Sequence, residues 1–245
     1  MLPDAPILLE FLFFMITAAS LYLLYRALLT VNKNIALVSI LVMISWCMFQ
    51  SALADNGYYR DYASFPPKLL IVGILPVTVV VLFLLVYSKT RNWLMQICLE
   101  SLTWIHVIRI PVELSLLWLF VQDAIPQLMT IEGINFDIIS GLSAPLVAFY
   151  GIGFRKMNRA YLLTWNIICL GMLLTIVITS ILAAPFSFQQ LSTNQPNIAI
   201  FYFPYTLLPT VIVPILLFAQ VLSIIKLCSK KKNAIYCRRP YYLPL

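Results

Sequence analysis

The sequence predicts an all-α protein, a polytopic membrane helix bundle of seven transmembrane helices with its N-terminus outside and its C-terminus in the cytoplasm. Three observations carry that reading. Of 245 residues, 62% are hydrophobic and 10% charged, against about 45–50% and about 25% in a soluble domain, and no soluble fold hides so much apolar surface. Seven stretches approach the length of about 20 apolar residues that a spanning helix needs. Basic residues fall in alternate loops, as they do when one set of loops faces the cytoplasm. Residues 1–245 read as a single transmembrane domain, with 226–245 as a basic cytoplasmic tail.

The first span runs from about Pro6 to Leu28. Asp4 precedes it and Arg26 and Lys33 follow; a cleaved signal peptide carries its positive charge before the apolar run, so this segment is expected to stay and to send its N-terminus outward. The second, Ile35 to Ala54, leads into an external loop with Asp55, Arg60 and Asp61. The third, Lys68 to Tyr87, ends at Lys89 and Arg91. The fourth, Trp93 to Phe120, precedes a long external segment, and the fifth, Ile138 to Phe154, runs into Arg155, Lys156 and Arg159. The sixth, Ala160 to Phe186, is followed by the uncharged stretch Ser187 to Phe203. The seventh, Pro204 to Cys228, enters a tail with Lys226, Lys230, Lys231, Lys232, Arg238 and Arg239. One helix more or fewer would scramble the alternation of basic loops.

Pro76, Pro111, Pro145, Pro209 and Pro214 fall inside these spans. Each removes a backbone donor and kinks its helix, which membranes tolerate when neighbours satisfy the freed carbonyl. The kinks serve either cavities and hinges or ordinary packing.

The fourth span is the unusual one, because Glu100, His106, Arg109 and Glu113 all lie in it. An ionisable group at mid-membrane costs roughly 2.5–3.5 kcal/mol on insertion scales. At about 100° per residue, His106, Arg109 and Glu113 share one face, and Arg109 and Glu113 have the i,i+4 spacing of a helical ion pair. The arrangement is either a buried polar site or a clasp that lets one helix pack. A shorter span from Trp104 to Val121 would place Arg109 near the cytoplasmic end, where it could snorkel. The segment from Gln122 to Gly141 carries Glu132, Asn135 and Asp137 among apolar residues. It is too hydrophobic for disorder, so it is expected to fold back onto the outer rim, with Gly133 and Gly141 permitting its turns. Arg109 is expected to pair with Glu113, Glu132 or Asp137, and the carbonyl of Val107, deprived of a donor by Pro111, to meet a side chain or water.

The run HVIRIPVE from His106 to Glu113, with the segment IPQLMTIEGINFDIISGLSAP from Ile125 to Pro145, resembles uncharacterised bacterial multi-pass membrane proteins. The resemblance implies a bacterial inner-membrane location and no activity.

External Tyr58, Tyr59, Tyr62 and Phe65 form either an interfacial aromatic belt or a ligand cover. The net charge of +7 lies in loops and is topological, so no nucleic-acid partner is expected; membrane lipids are. With one histidine and no close cysteine pair, no metal and no cofactor is expected. None of the five cysteines falls in an external segment, which disfavours a structural disulfide. No zinc-protease, nucleophile-elbow or phosphate-loop motif occurs, and no catalytic residue is assigned.

The functional expectation is small-ligand binding or transport through an outward-facing polar cavity. His106, Arg109, Glu113, Glu132, Asn135 and Asp137 are the ligand-binding or proton-relay candidates, and Arg109 suits a small anionic ligand. The alternatives are a membrane enzyme acting on a lipid-type substrate at the outer rim, and a structural or assembly subunit.

Overall fold

A backbone in an apolar surrounding has no water to satisfy its N–H and C=O groups, so apolar runs close their hydrogen bonds internally as helices. The computed structural model describes residues 6–229, and the described residues contain helices and connecting segments with no strand. The helices are α1 (Ile7–Leu29), α2 (Lys33–Asp55), α3 (Leu69–Val86), α4 (Ser88–Leu94), α5 (Leu99–Val121), α6 (Asp137–Gly153), α7 (Arg159–Ala183) and α8 (Leu208–Cys228). All seven stretches read from the sequence are helical. Six helices among the described residues are long and apolar enough to cross a membrane, which makes this a membrane protein. The remaining stretch, α6, is shorter, with 10 α-helical and 7 π-helical residues.

Polarity is turned inward. Leu41, Val42 and Met48 of α2 are exposed, while Thr17, Gln50, Asn166 and Gln220 are buried. Over an 18-residue apolar window, 67% of the residues are buried in α8 and 50% in α5, against 11% in α2, so α5 and α8 form the centre and the other helices wrap them. Asn32 and Asn158 begin α2 and α7 by accepting hydrogen bonds from first-turn N–H groups, at 2.9 Å from Asn34 and 3.0 Å from Tyr161, which is the usual role of an N-cap amide.

One boundary differs from the sequence reading. The fourth span starts at Leu99, because residues 88–94 form the separate α4 and the chain turns between the two. Lys226 holds that turn, its Nζ donating to the Met95 carbonyl at 2.6 Å. Lys226 is therefore a buried residue of the bundle and not part of an exposed charge run; the tail beyond residue 229 lies outside the described residues. Cys98 lies buried beside this turn, and Cys47, Cys169 and Cys228 are free thiols.

Prolines open two helices at matching places. α3 begins with a π-helical stretch, Leu69–Ile74, before Pro76, and α8 with another, Leu208–Ile212, before Pro214. Neither proline has an N–H for the carbonyl four residues back, and α2 supplies a donor to each. Gln50 Nε2 donates to the Val72 carbonyl at 3.2 Å and Trp46 Nε1 to the Thr210 carbonyl at 3.0 Å. Gly73 sits where a Cβ would be 2.9 Å from Thr210 Cγ2, so the two interrupted helices meet there. Trp46→Phe is expected to cost about 1–3 kcal/mol, the range for losing a partner of a buried polar group. The loss should shrink in a Pro214→Ala background, where position 214 regains its N–H; chemical unfolding in detergent measures both. At Pro111 the backbone itself supplies a donor. The backbone tightens into a 3₁₀ turn, His106–Ile108, and the Arg109 N–H reaches the carbonyls of His106 and Val107, so no side chain is needed there.

One end of the bundle is capped by residues 122–136 and 184–207. Ile198 and Ala199 donate backbone N–H groups to the Ala124 carbonyl at 3.0 and 3.1 Å, and Gln195 Nε2 reaches the Ile125 carbonyl at 2.8 Å. Tyr62 packs edge-on against Phe201, and Tyr59 is buried and donates to Gln50 Oε1 at 2.5 Å. Burial pushes the Tyr59 hydroxyl above its ordinary pKa, so it remains a donor. Of these loop aromatics, Tyr59 and Tyr62 pack into the cap, while Tyr58 and Phe65 are exposed.

Candidate functional site

Arg109 begins the second α-helical part of α5, after the 3₁₀ turn, and is fully buried. It can be there because α6 comes close beside it: a Cβ on Gly141 would lie 2.8 Å from Ile110 Cγ1 and 3.2 Å from Arg109 Cβ. That approach puts Asp137, one turn earlier on α6, against the guanidinium. Arg109 forms an ion pair with Asp137, and the side chains are 1% and 3% exposed. The remaining donors are shared out. Nη1 also reaches the Cys169 carbonyl at 3.2 Å, Nη2 reaches Gln220 Oε1 at 3.1 Å, and Nε has no partner. Gln220 is held in turn by its own Nε2, which donates to Asn166 Oδ1 at 2.9 Å.

Glu113 does not pair with Arg109, although the spacing allowed it. One turn further along α5, its Oε2 accepts from Asn135 Nδ2 at 2.5 Å. Asn135 also donates to the Met129 carbonyl at 3.0 Å and accepts the Asp137 N–H at 3.1 Å. One amide therefore closes the folded-back segment, starts α6 and holds Glu113. Gly133 and Gly141 serve this segment by their missing side chains and not through unusual torsions, since Gly57 is the glycine with positive φ among the described residues.

The six sequence candidates divide. Arg109, Glu113, Asn135 and Asp137 come together. Glu132 is exposed and stands apart, because the turn that buries Asn135 leaves it on the outer side. His106 is fully buried, with neither ring nitrogen bonded, and faces the Trp165 ring edge-on at 6.0 Å. It is not among the residues of the cavity wall described below. The sequence reading missed Asn166 and Gln220, two amides deep in apolar spans. Their signal was available, because amides inside membrane helices hydrogen-bond across helices.

Arg109, Glu113 and Asp137 line a cavity of about 240 Å³ between α3, α5, α7 and α8. Its other walls are almost wholly aliphatic, among them Leu69, Leu173, Ile176, Val213 and Leu216, with the hydroxyls of Thr78 and Ser180 as exceptions. Both π-helical openings contribute, through Leu69 and Leu208. The cavity thus runs from the level of Arg109 toward the capped end, where α3 and α8 begin and α7 ends. It corrects the expectation of a polar cavity: the polar groups are confined to one wall, because Arg109 spends its donors on protein partners. Among the described residues, no group of three or more His, Cys, Asp or Glu is placed to hold a metal ion.

A family model described as Domain of unknown function (DUF8737) matches residues 66–228, the stretch that contains every residue of the cavity wall. No curated protein and no solved structure matches the chain.

Proposed function

We propose that this chain, which belongs to that family of unknown function, binds a small ligand in the cavity between α3, α5, α7 and α8, for recognition or for transport across the membrane. The observation that carries the reading is a largely apolar pocket with three ionisable groups on one wall, the usual make-up of a small-molecule site. The two interrupted helices beside it give support, since membrane transporters place ligand sites where helices are broken. Native mass spectrometry of the protein extracted from its own membrane is the test. A small molecule should be retained by the unmodified protein and lost in Val177→Trp, which fills the cavity from α7; unmodified protein free of any adduct would overturn the reading.

The topology that goes with it is seven spans, α6 included, with the capped end outside and the C-terminus in the cytoplasm of a bacterial inner membrane. The support is the alternation of Arg26 and Lys33, Lys89 and Arg91, and Arg155, Lys156 and Arg159 with sparsely basic loops. A cysteine introduced at Asn56 is expected to react with an impermeant thiol reagent applied to intact cells, and one at Lys156 to react only after lysis. Reversed labelling would invert the orientation, and labelling of both in intact cells would break the count of seven.

A further inference from the structure

Three ionisable side chains line the cavity, and their pairing decides what it can hold. Arg109 is matched by Asp137, and its Nη donors are further engaged by Gln220 and the Cys169 carbonyl. Among the described residues the ion pairs are Arg109–Asp137 and Lys68–Asp61, so Glu113 has no cationic partner. Its carboxylate accepts a hydrogen bond from a neutral amide, Asn135. The formal charge of the wall with all three groups ionised is the sum of one guanidinium and two carboxylates, a net negative. A buried carboxylate beside aliphatic walls is stabilised by any cation that enters.

Resting on the binding reading above, we propose that the cavity takes a lipophilic amine: an aliphatic body lying against Leu173, Ile176 and Leu216, and an ammonium head donating to Glu113. An anionic head group finds less. The charge of Arg109 is already balanced, and an anion would be placed near Glu113 and Asp137 at once. Charge-assisted bonds to a desolvated carboxylate are about twice as strong as neutral ones, so the head group sets selectivity while the apolar walls set affinity for the chain.

The experiment compares three probes that share an eight-carbon chain, octylamine, octanol and octanoate, at neutral pH, where the amine is cationic and the acid anionic. Equilibrium binding to the full chain in nanodiscs, with empty nanodiscs subtracted, should rank octylamine above octanol above octanoate. The amine should lead the acid by at least about tenfold, the step expected of one charge-assisted bond. Glu113→Gln, which keeps an acceptor for Asn135, should bring amine and alcohol together. The ranking is read on unmodified protein, so it holds as a test even where that variant fails to fold. Octanoate binding best, with its advantage lost in Arg109→Met, would overturn the amine proposal and leave the cavity reading standing. Equal binding of all three would also overturn it, and binding of none would overturn both.

Discussion

Asp137→Leu is expected to destabilise the protein by about 3–5 kcal/mol, the cost of leaving a buried charge without its partner. The guanidinium it abandons is 1% exposed. Arg109→Met should cost at least as much, since it also strips a donor from Gln220 Oε1 and from the Cys169 carbonyl. The double variant should cost clearly less than the two added together, because no lone charge remains. Reversible unfolding in mixed micelles measures the cycle. Additive losses would mean that the two groups do not act as a pair.

Gly141→Ala carries the second large effect. A methyl at this position would sit 2.8 Å from Ile110 Cγ1 and 3.0 Å from the Ile110 backbone nitrogen, so α6 must back away from α5. Overpacking of this kind costs about 1–3 kcal/mol, and here it also draws Asp137 off Arg109. Gly171→Ala is the control. Nothing lies within 4 Å of the added atom, so alanine should be neutral or should stabilise by up to about 1 kcal/mol through helix propensity. If the two substitutions behave alike, close approach at Gly141 is not what seats the ion pair.

Particular residues show how far the sequence could be read. The apolar runs and the prolines within them depend on local chemistry, and each run is helical in the structure, the fourth from Leu99 onward. The isolation of Arg109 and Glu113 in a hydrophobic span marked this region as costly, and the acidic segment after it was the nearest source of partners. The choice among those partners was not legible. Glu113 lies at ideal helical spacing from Arg109, yet each side chain turns to the folded-back segment, Arg109 to Asp137 and Glu113 to Asn135. His106 shares that face in a helical projection, yet it packs against Trp165 and stands outside the cavity wall. Lys226 reads as a surface charge at a helix end until α4 and α5 present the Met95 carbonyl to it.

By itself the sequence determined the class of molecule, the helical character of its apolar stretches and the pattern of basic loops. These follow from the free energy of moving side chains and backbone out of water, which each segment feels on its own. The tertiary structure alone decided which charge meets which, that Trp46 and Gln50 serve carbonyls on α8 and α3, and that the cavity wall is aliphatic apart from one polar side. Such contacts join residues far apart in the chain, as Arg109 with Gln220. They depend on how closely two helices can approach, at Gly73 and Gly141 in particular, and packing of that kind is a property of pairs of helices that no single span contains.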